Sequence, residues 1–86
     1  MNQSILFNDD VEWQASEQRV AFSAMLLGSR IPCYMSLHAL EQLAGEPLPR
    51  AADILRAFEA FQFDIEASAE RKLEEQDFAE DGAIYL

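Results

Sequence analysis

Residues 19–36 read RVAFSAMLLGSRIPCYMS. In the first half Val20, Phe22, Ala24 and Leu26 recur at every second position, and in the second half Ile31, Cys33 and Met35 do the same, the signature of half-buried strands. Gly28-Ser29 between them supports a hairpin, so the fold is expected to grow from strands over 19–27 and 30–35. Pairing Leu26 with Ile31 sets Ala24 against Cys33 and Phe22 against Met35, with all these apolar side chains on one side of the ribbon. Pro32 has no N–H to give a neighbouring strand. A four-residue loop turns its nitrogen outward, and that wider loop is the expectation.

Upstream, residues 4–7 and 11–14 are short apolar or alternating runs separated by Asn8-Asp9-Asp10, whose side chains favour turns by bonding their own backbone. Two further short strands are expected there. Downstream, Ser36 is a good N-cap, Leu37, Leu40, Leu43 and Ala44 recur at helical spacing, and Gly45 is placed to close the helix in a left-handed conformation. A helix over 37–44 follows. Pro47-Leu48-Pro49 blocks its continuation, and Pro49 suits the first turn of a second helix over 50–77. Along it Ala51, Ile54, Leu55, Phe58, Phe61, Ile65, Ala69 and Leu73 form one apolar stripe, the face that packs on a sheet. Asp81-Gly82 then gives a turn, and residues 83–86 are short, apolar and able to return as a strand. The expected class is α+β: one domain over 1–86, with a small antiparallel meander of three to four strands, a short helix and a long amphipathic helix packed on one face.

Composition limits what such a domain does. Of 86 residues 43 are hydrophobic, but thirteen of them are Ala, which leaves 30 larger apolar side chains, enough for one core. The formal charge is −10, and residues 46–86 alone hold eleven acidic against four basic side chains. Nucleic acids and anionic membranes are bound through accumulated Lys and Arg, so neither is an expected partner. One cysteine forms no internal disulfide, no charged-then-apolar leader is visible, and no apolar run approaches the roughly 20 residues that span a bilayer. A cytoplasmic location is the expectation.

The order of Ile5-Leu6-Phe7, Trp13, Val20-Ala21-Phe22, the Gly28 turn, Ile31-Pro32-Cys33, Ser36-Leu37 with Ala39-Leu40, and Phe78 before Asp81-Gly82 resembles the small bacterial proteins of the domain of unknown function 1488 family. The resemblance covers nearly the whole chain. It implies a compact α+β protein of bacterial origin with no established activity, and it carries no functional residue across, because its motifs are turns and packing positions.

The residues able to do chemistry are few. His38 is the only histidine, and acid–base work would need a partner beside it. Cys33 alternates with Ile31 and Met35, which places its thiol on the apolar face, where a free cysteine behaves as a small hydrophobe. One Cys and one His fall short of a zinc site. Asp9, Asp10 and Glu12, and Asp77, Glu80 and Asp81, are acidic clusters without the spacing of a calcium loop. Glu66, Glu70 and Glu74 recur every four residues, as a solvated helix face does by default. Trp13 and Tyr34 read as packing residues rather than a ligand platform. No cofactor is expected.

Phe63 is the exception. With Ala60 and Ala67 it falls on the side of the long helix opposite the apolar stripe, among Arg56, Glu59, Glu70, Arg71 and Glu74. A large apolar group flanked by small ones on an outer face admits close approach of another chain. Arg56, Ala60, Phe63 and Ala67 are therefore the candidate partner-binding residues. Three functions follow: a non-enzymatic interaction or regulatory protein, with a homodimer through the Phe63 face as one form; an acidic decoy for a basic surface on a nucleic-acid-binding protein; and a small ligand binder or enzyme with a pocket near His38, Cys33 and Tyr34.

Overall fold

In a computed structural model, which describes residues 4–86, the elements run β1 (Ile5–Phe7), β2 (Glu12–Gln14), β3 (Arg19–Leu26), β4 (Ser29–Ser36), α1 (Leu37–Ala44), α2 (Ala51–Ala60), α3 (Gln62–Glu74) and β5 (Ile84–Tyr85). The chain is α+β. The part of the expected 1–86 domain formed by Met1–Gln3 lies outside the described residues.

β3 and β4 form the expected hairpin, but with a tighter turn. Leu26 pairs with Ser29, Ala24 with Ile31, Phe22 with Cys33 and Val20 with Met35, so the loop is Leu27-Gly28 alone. Both loop residues take positive φ, 51° at Leu27 and 85° at Gly28, the conformation of a two-residue turn that follows the natural strand twist. The four-residue loop expected from Pro32 is not needed. Pro32 faces Ser23, and Ser23 turns its carbonyl to the Asn8 N–H (3.0 Å) and its own N–H to Asp10 Oδ1 (3.1 Å), both on the far side of β3. The Ser23–Pro32 pair therefore exchanges no hydrogen bonds, and the missing N–H costs nothing.

The meander is also revised at its two ends. β1 and β2 do not pair with each other: both run antiparallel to β3, β1 against Ala24–Leu26 and β2 against Arg19–Ala21. They are one edge strand interrupted over residues 8–11, where Asn8 and Asp10 lend side chains to the ladder. Asn8 Nδ2 donates to Ser23 Oγ (2.8 Å), and Ser23 Oγ in turn donates to Asp10 Oδ2. The tripeptide anticipated as a turn is thus a bulge. At the other edge β5 joins β4 in parallel, with Cys33 opposite Ile84 and Tyr34 opposite Tyr85, which makes the sheet mixed. The Leu86 N–H donates to the Tyr34 carbonyl (2.8 Å).

Ser36 ends β4 and caps α1, its Oγ accepting from the Ala39 N–H at 3.0 Å, and Gly45 closes that helix at φ 75°. The helix expected over 50–77 is bent and shorter. Phe61 (φ −105°, ψ 17°) separates α2 from α3, yet Phe61 N–H still bonds the Ala57 carbonyl and Ile65 N–H the Phe61 carbonyl, each at 3.0 Å. No proline or glycine causes the bend. α3 ends three residues early because Gln76 turns left-handed (φ 55°) and the Asp77 and Gln76 N–H groups reach back to the Lys72 and Leu73 carbonyls, a Schellman closure. That reversal delivers β5 to the sheet.

The helices cover one face of the sheet. Val20, Phe22, Ala24, Cys33 and Met35 meet Leu40, Ile54, Phe58, Ile65, Ala69 and Leu73, with Leu48 and Ile84 filling the margins. Phe22 and Phe58 pack edge to face at 5.3 Å, a geometry that adds to the ~1.5–3 kcal/mol each large side chain contributes by burial. Ala51 and Leu55, at the start of the apolar stripe, remain exposed.

Candidate functional site

Because Ile54, Phe58, Ile65, Ala69 and Leu73 point into the core, a spacing of 100° per residue sends Arg56, Ala60, Phe63 and Ala67 the opposite way. All four are exposed, and Phe63 is 89% exposed. Its ring therefore adds almost nothing to the chain's own core. Arg56 Nη1 reaches Asp53 Oδ1 at 3.5 Å in a solvent-facing ion pair. One turn beyond Ala67, a shallow depression of about 340 Å³ is lined by Ala67, Glu70, Arg71, Glu74 and Glu75. The candidate residues expected from sequence thus lie on one surface, with a protruding ring and a hollow side by side.

A larger groove, about 630 Å³, opens between α1 and α3. Met35, Leu43, Ile65 and Leu86 contribute apolar side chains to it, and Asp64, Arg71, Lys72 and Asp77 charged ones. Lys72 Nζ is 3.2 Å from Asp77 Oδ2. The sequence pattern gave no sign of this groove, since its walls come from elements far apart in the chain.

The face of the sheet away from the helices carries a second feature missed in the sequence. Arg19 lies over the Tyr34 ring, 3.6 Å from its centroid, and donates from Nε to Gln14 Oε1 at 2.7 Å. Tyr34 packs against Tyr85 at 5.3 Å, and the Tyr85 hydroxyl donates to Asp81 Oδ2 at 2.6 Å. That hydrogen bond, helped by the Ala83 N–H, holds the Asp81 carboxyl below its ordinary value, and it raises the Tyr85 phenol above its own, with nearby Arg19 opposing the rise. The alternation in β4 placed Tyr34 on this face; only the parallel pairing of β5 brings Tyr85 beside it.

His38, Cys33 and Tyr34 do not converge. His38 is exposed on α1, Cys33 is fully buried on the helix-covered side, and Tyr34 lies on the other side. Burial first, then the Asp10 carboxylate, pushes the Cys33 thiol up to about 11, with Arg30 opposing, so the reactive thiolate is disfavoured. Trp13 pairs with Val20 and packs at the core margin, on the opposite side of the sheet from Tyr34.

Acidic side chains of both suspected clusters have protein partners. Asp10 holds Ser23 and Arg30, Glu12 accepts from Gln14, Asp77 meets Lys72 and Asp81 meets Tyr85. Among the described residues no group of three or more His, Cys, Asp or Glu is placed to hold a metal ion, and no helix is long and apolar enough to cross a membrane.

Known proteins share this fold. The chain is 30% identical over 86 residues to an uncharacterized protein, YrdB, of Escherichia coli (strain K12), covering 100% of this chain and 99% of that relative. It is 29% identical, over the same extent, to the YrdB protein of Shigella flexneri. The crystal structure of a protein of unknown function from the DUF1488 family of Shewanella loihica PV-4 superposes with a TM-score of 0.94 at 37% identity, covering 100% of this chain and 94% of that one. The profile of the family described as "Protein of unknown function (DUF1488)" matches residues 5–86. With the fold, the length and the profile in agreement, the chain belongs to the DUF1488 family.

Proposed function

We propose that this protein is a non-enzymatic interaction protein, and that it engages another polypeptide through the outer face of α2 and α3 centred on Phe63. The observation that carries this reading is the 89% exposure of Phe63 between the exposed Ala60 and Ala67. Covering a ring of that size is worth roughly 2 kcal/mol, and the small neighbours leave room for a partner's backbone to approach. The scarcity of reactive groups agrees with a role in binding. The Cys33 thiol is buried and its pKa raised, and the lone His38 stands apart from it.

The test is a photo-crosslinking phenylalanine analogue placed at position 63 in cells, with a control at exposed Glu17 in the β2–β3 turn. Discrete protein adducts are expected from position 63 and not from 17. No adduct at 63 would remove the reading. Phe63→Asp is expected to change the unfolding free energy by less than about 0.5 kcal/mol, as an exposed site should; a variant that unfolds would show that the ring serves the fold instead.

A further inference from the structure

Resting on that reading, we infer that the partner of the Phe63 face is a second copy of this chain, docked antiparallel about a twofold axis so that each Phe63 ring enters the hollow beyond Ala67 of the other copy.

Arg56, Ala60, Phe63, Ala67, the half-buried Glu70 and Glu74 recur at alternating spacings of four and three along the outer side of α2 and α3, the spacing of a two-helix seam. The hydrogen bonds that continue through Phe61 keep them on one face. In an antiparallel pair centred at the level of Ile65, residues equally far from that level meet. Phe63 then faces Ala67 of the second copy, and Arg56 faces Glu74 of the second copy.

Three properties of the surface select this arrangement. Side chains on a helix lean toward its N-terminus, so in an antiparallel pair the Phe63 ring leans toward the C-terminal end of the other helix. There lies the shallow depression of about 340 Å³ lined by Ala67, Glu70, Arg71, Glu74 and Glu75. Knob and hollow occur on the same face, as a self-complementary twofold interface requires. The charges agree: the antiparallel pair sets Arg56 against Glu74 twice, whereas a parallel pair would oppose Arg56 to Arg56 and Glu74 to Glu74, a like-charge cost at both ends. The existing Arg56–Asp53 contact is exposed and long at 3.5 Å, a pair of that kind being worth little, so Arg56 is readily shared.

Charge-swap variants followed by sedimentation equilibrium test this, from about 10 µM to about 1 mM, the range in which so small an interface associates. Wild type is expected to dimerise in that range and Phe63→Asp to remain monomeric. Arg56→Glu and Glu74→Arg are each expected to weaken the dimer roughly tenfold, since each breaks two symmetric contacts and replaces them with repulsion. Their combination should restore wild-type association. Glu74→Arg decides most, because it reduces the charge of −10; relief of general repulsion alone would tighten the dimer. A wild type monomeric at every concentration, or a double variant as weak as the singles, overturns the inference. If position 63 crosslinks in cells only to a different protein, self-association fails while the interaction reading stands, and if it crosslinks to nothing, both fail.

Discussion

Replacing Asp10 by alanine should destabilise this domain far more than its exposed position suggests. Its carboxylate accepts from the Ser23 N–H at 3.1 Å and from the Ser23 hydroxyl, and Ser23 is 0% exposed. Asp10→Ala leaves both donors without their acceptor. A buried donor left unsatisfied costs about 1–3 kcal/mol. The Asp10 side chain is one-third exposed, so water entering the vacated space recovers part of this, and the exposed Arg30 contact adds less than about 1 kcal/mol. The net expectation is a loss of about 2–3 kcal/mol. For a domain of this size that lowers Tm by roughly 10–20 °C. Urea unfolding followed by Trp13 fluorescence and far-UV circular dichroism measures it, with Asp9→Ala, an exposed neighbour, as control. A double-mutant cycle with Ser23→Ala should give a coupling of about 1 kcal/mol or more. A loss for Asp10→Ala below about 0.5 kcal/mol, equal to that of Asp9→Ala, would refute the claim that Asp10 completes the interrupted edge of the sheet.

Leu27→Asn should raise the unfolding free energy by about 1 kcal/mol, because Leu27 sits at φ 51° with its side chain 80% exposed, a conformation that costs a branched side chain about 1–2 kcal/mol and suits asparagine; unchanged or reduced stability in chemical denaturation would contradict this. Cys33 should react with a thiol reagent only as fast as the domain opens, since its thiol is buried with a pKa pushed up to about 11; rapid labelling of the native protein would show the core around it to be open. The Asp81–Tyr85 hydrogen bond should make a pH-dependent contribution to stability. Asp81 is lowered from 3.8 in the folded state, so its contribution is present above that value and lost as pH falls through the folded pKa. Tyr85 is raised from 10.0, so its contribution is present below that value and lost as pH rises through the folded pKa. Asp81→Asn should move the phenol's ultraviolet titration back toward the ordinary tyrosine value, and an unmoved titration would exclude the contact.

The surface centred on Phe63 was legible before any coordinates, since a periodicity of 3.6 residues fixes which side of a helix a residue occupies once its apolar stripe is known. Arg56, Ala60 and Ala67 follow from the same rule, and the bend at Phe61 leaves it intact because the helical hydrogen bonds continue across it. The hairpin register was less secure. Pro32 by itself implies a nitrogen that must turn away from β3, and the sequence alone does not show that Ser23 spends both its backbone groups on Asn8 and Asp10. Gln76 carried no signal of helix closure, because glutamine is not a residue that favours a left-handed cap.

What the chain's sequence determined by itself is local: strand alternation over 19–36, the capped helix 37–44, the apolar stripe from Ile54 to Leu73, and the charge of −10. These depend on contacts or periodicities a few residues apart. Only the tertiary structure decided that β1 and β2 share one partner, that β5 runs parallel to β4, and that Arg19, Tyr34, Tyr85 and Asp81 meet. The physical reason is that such contacts join segments as far apart in the chain as Arg19 and Tyr85. Their geometry is set by how the helices cover the sheet, and no neighbouring residue in the chain encodes it.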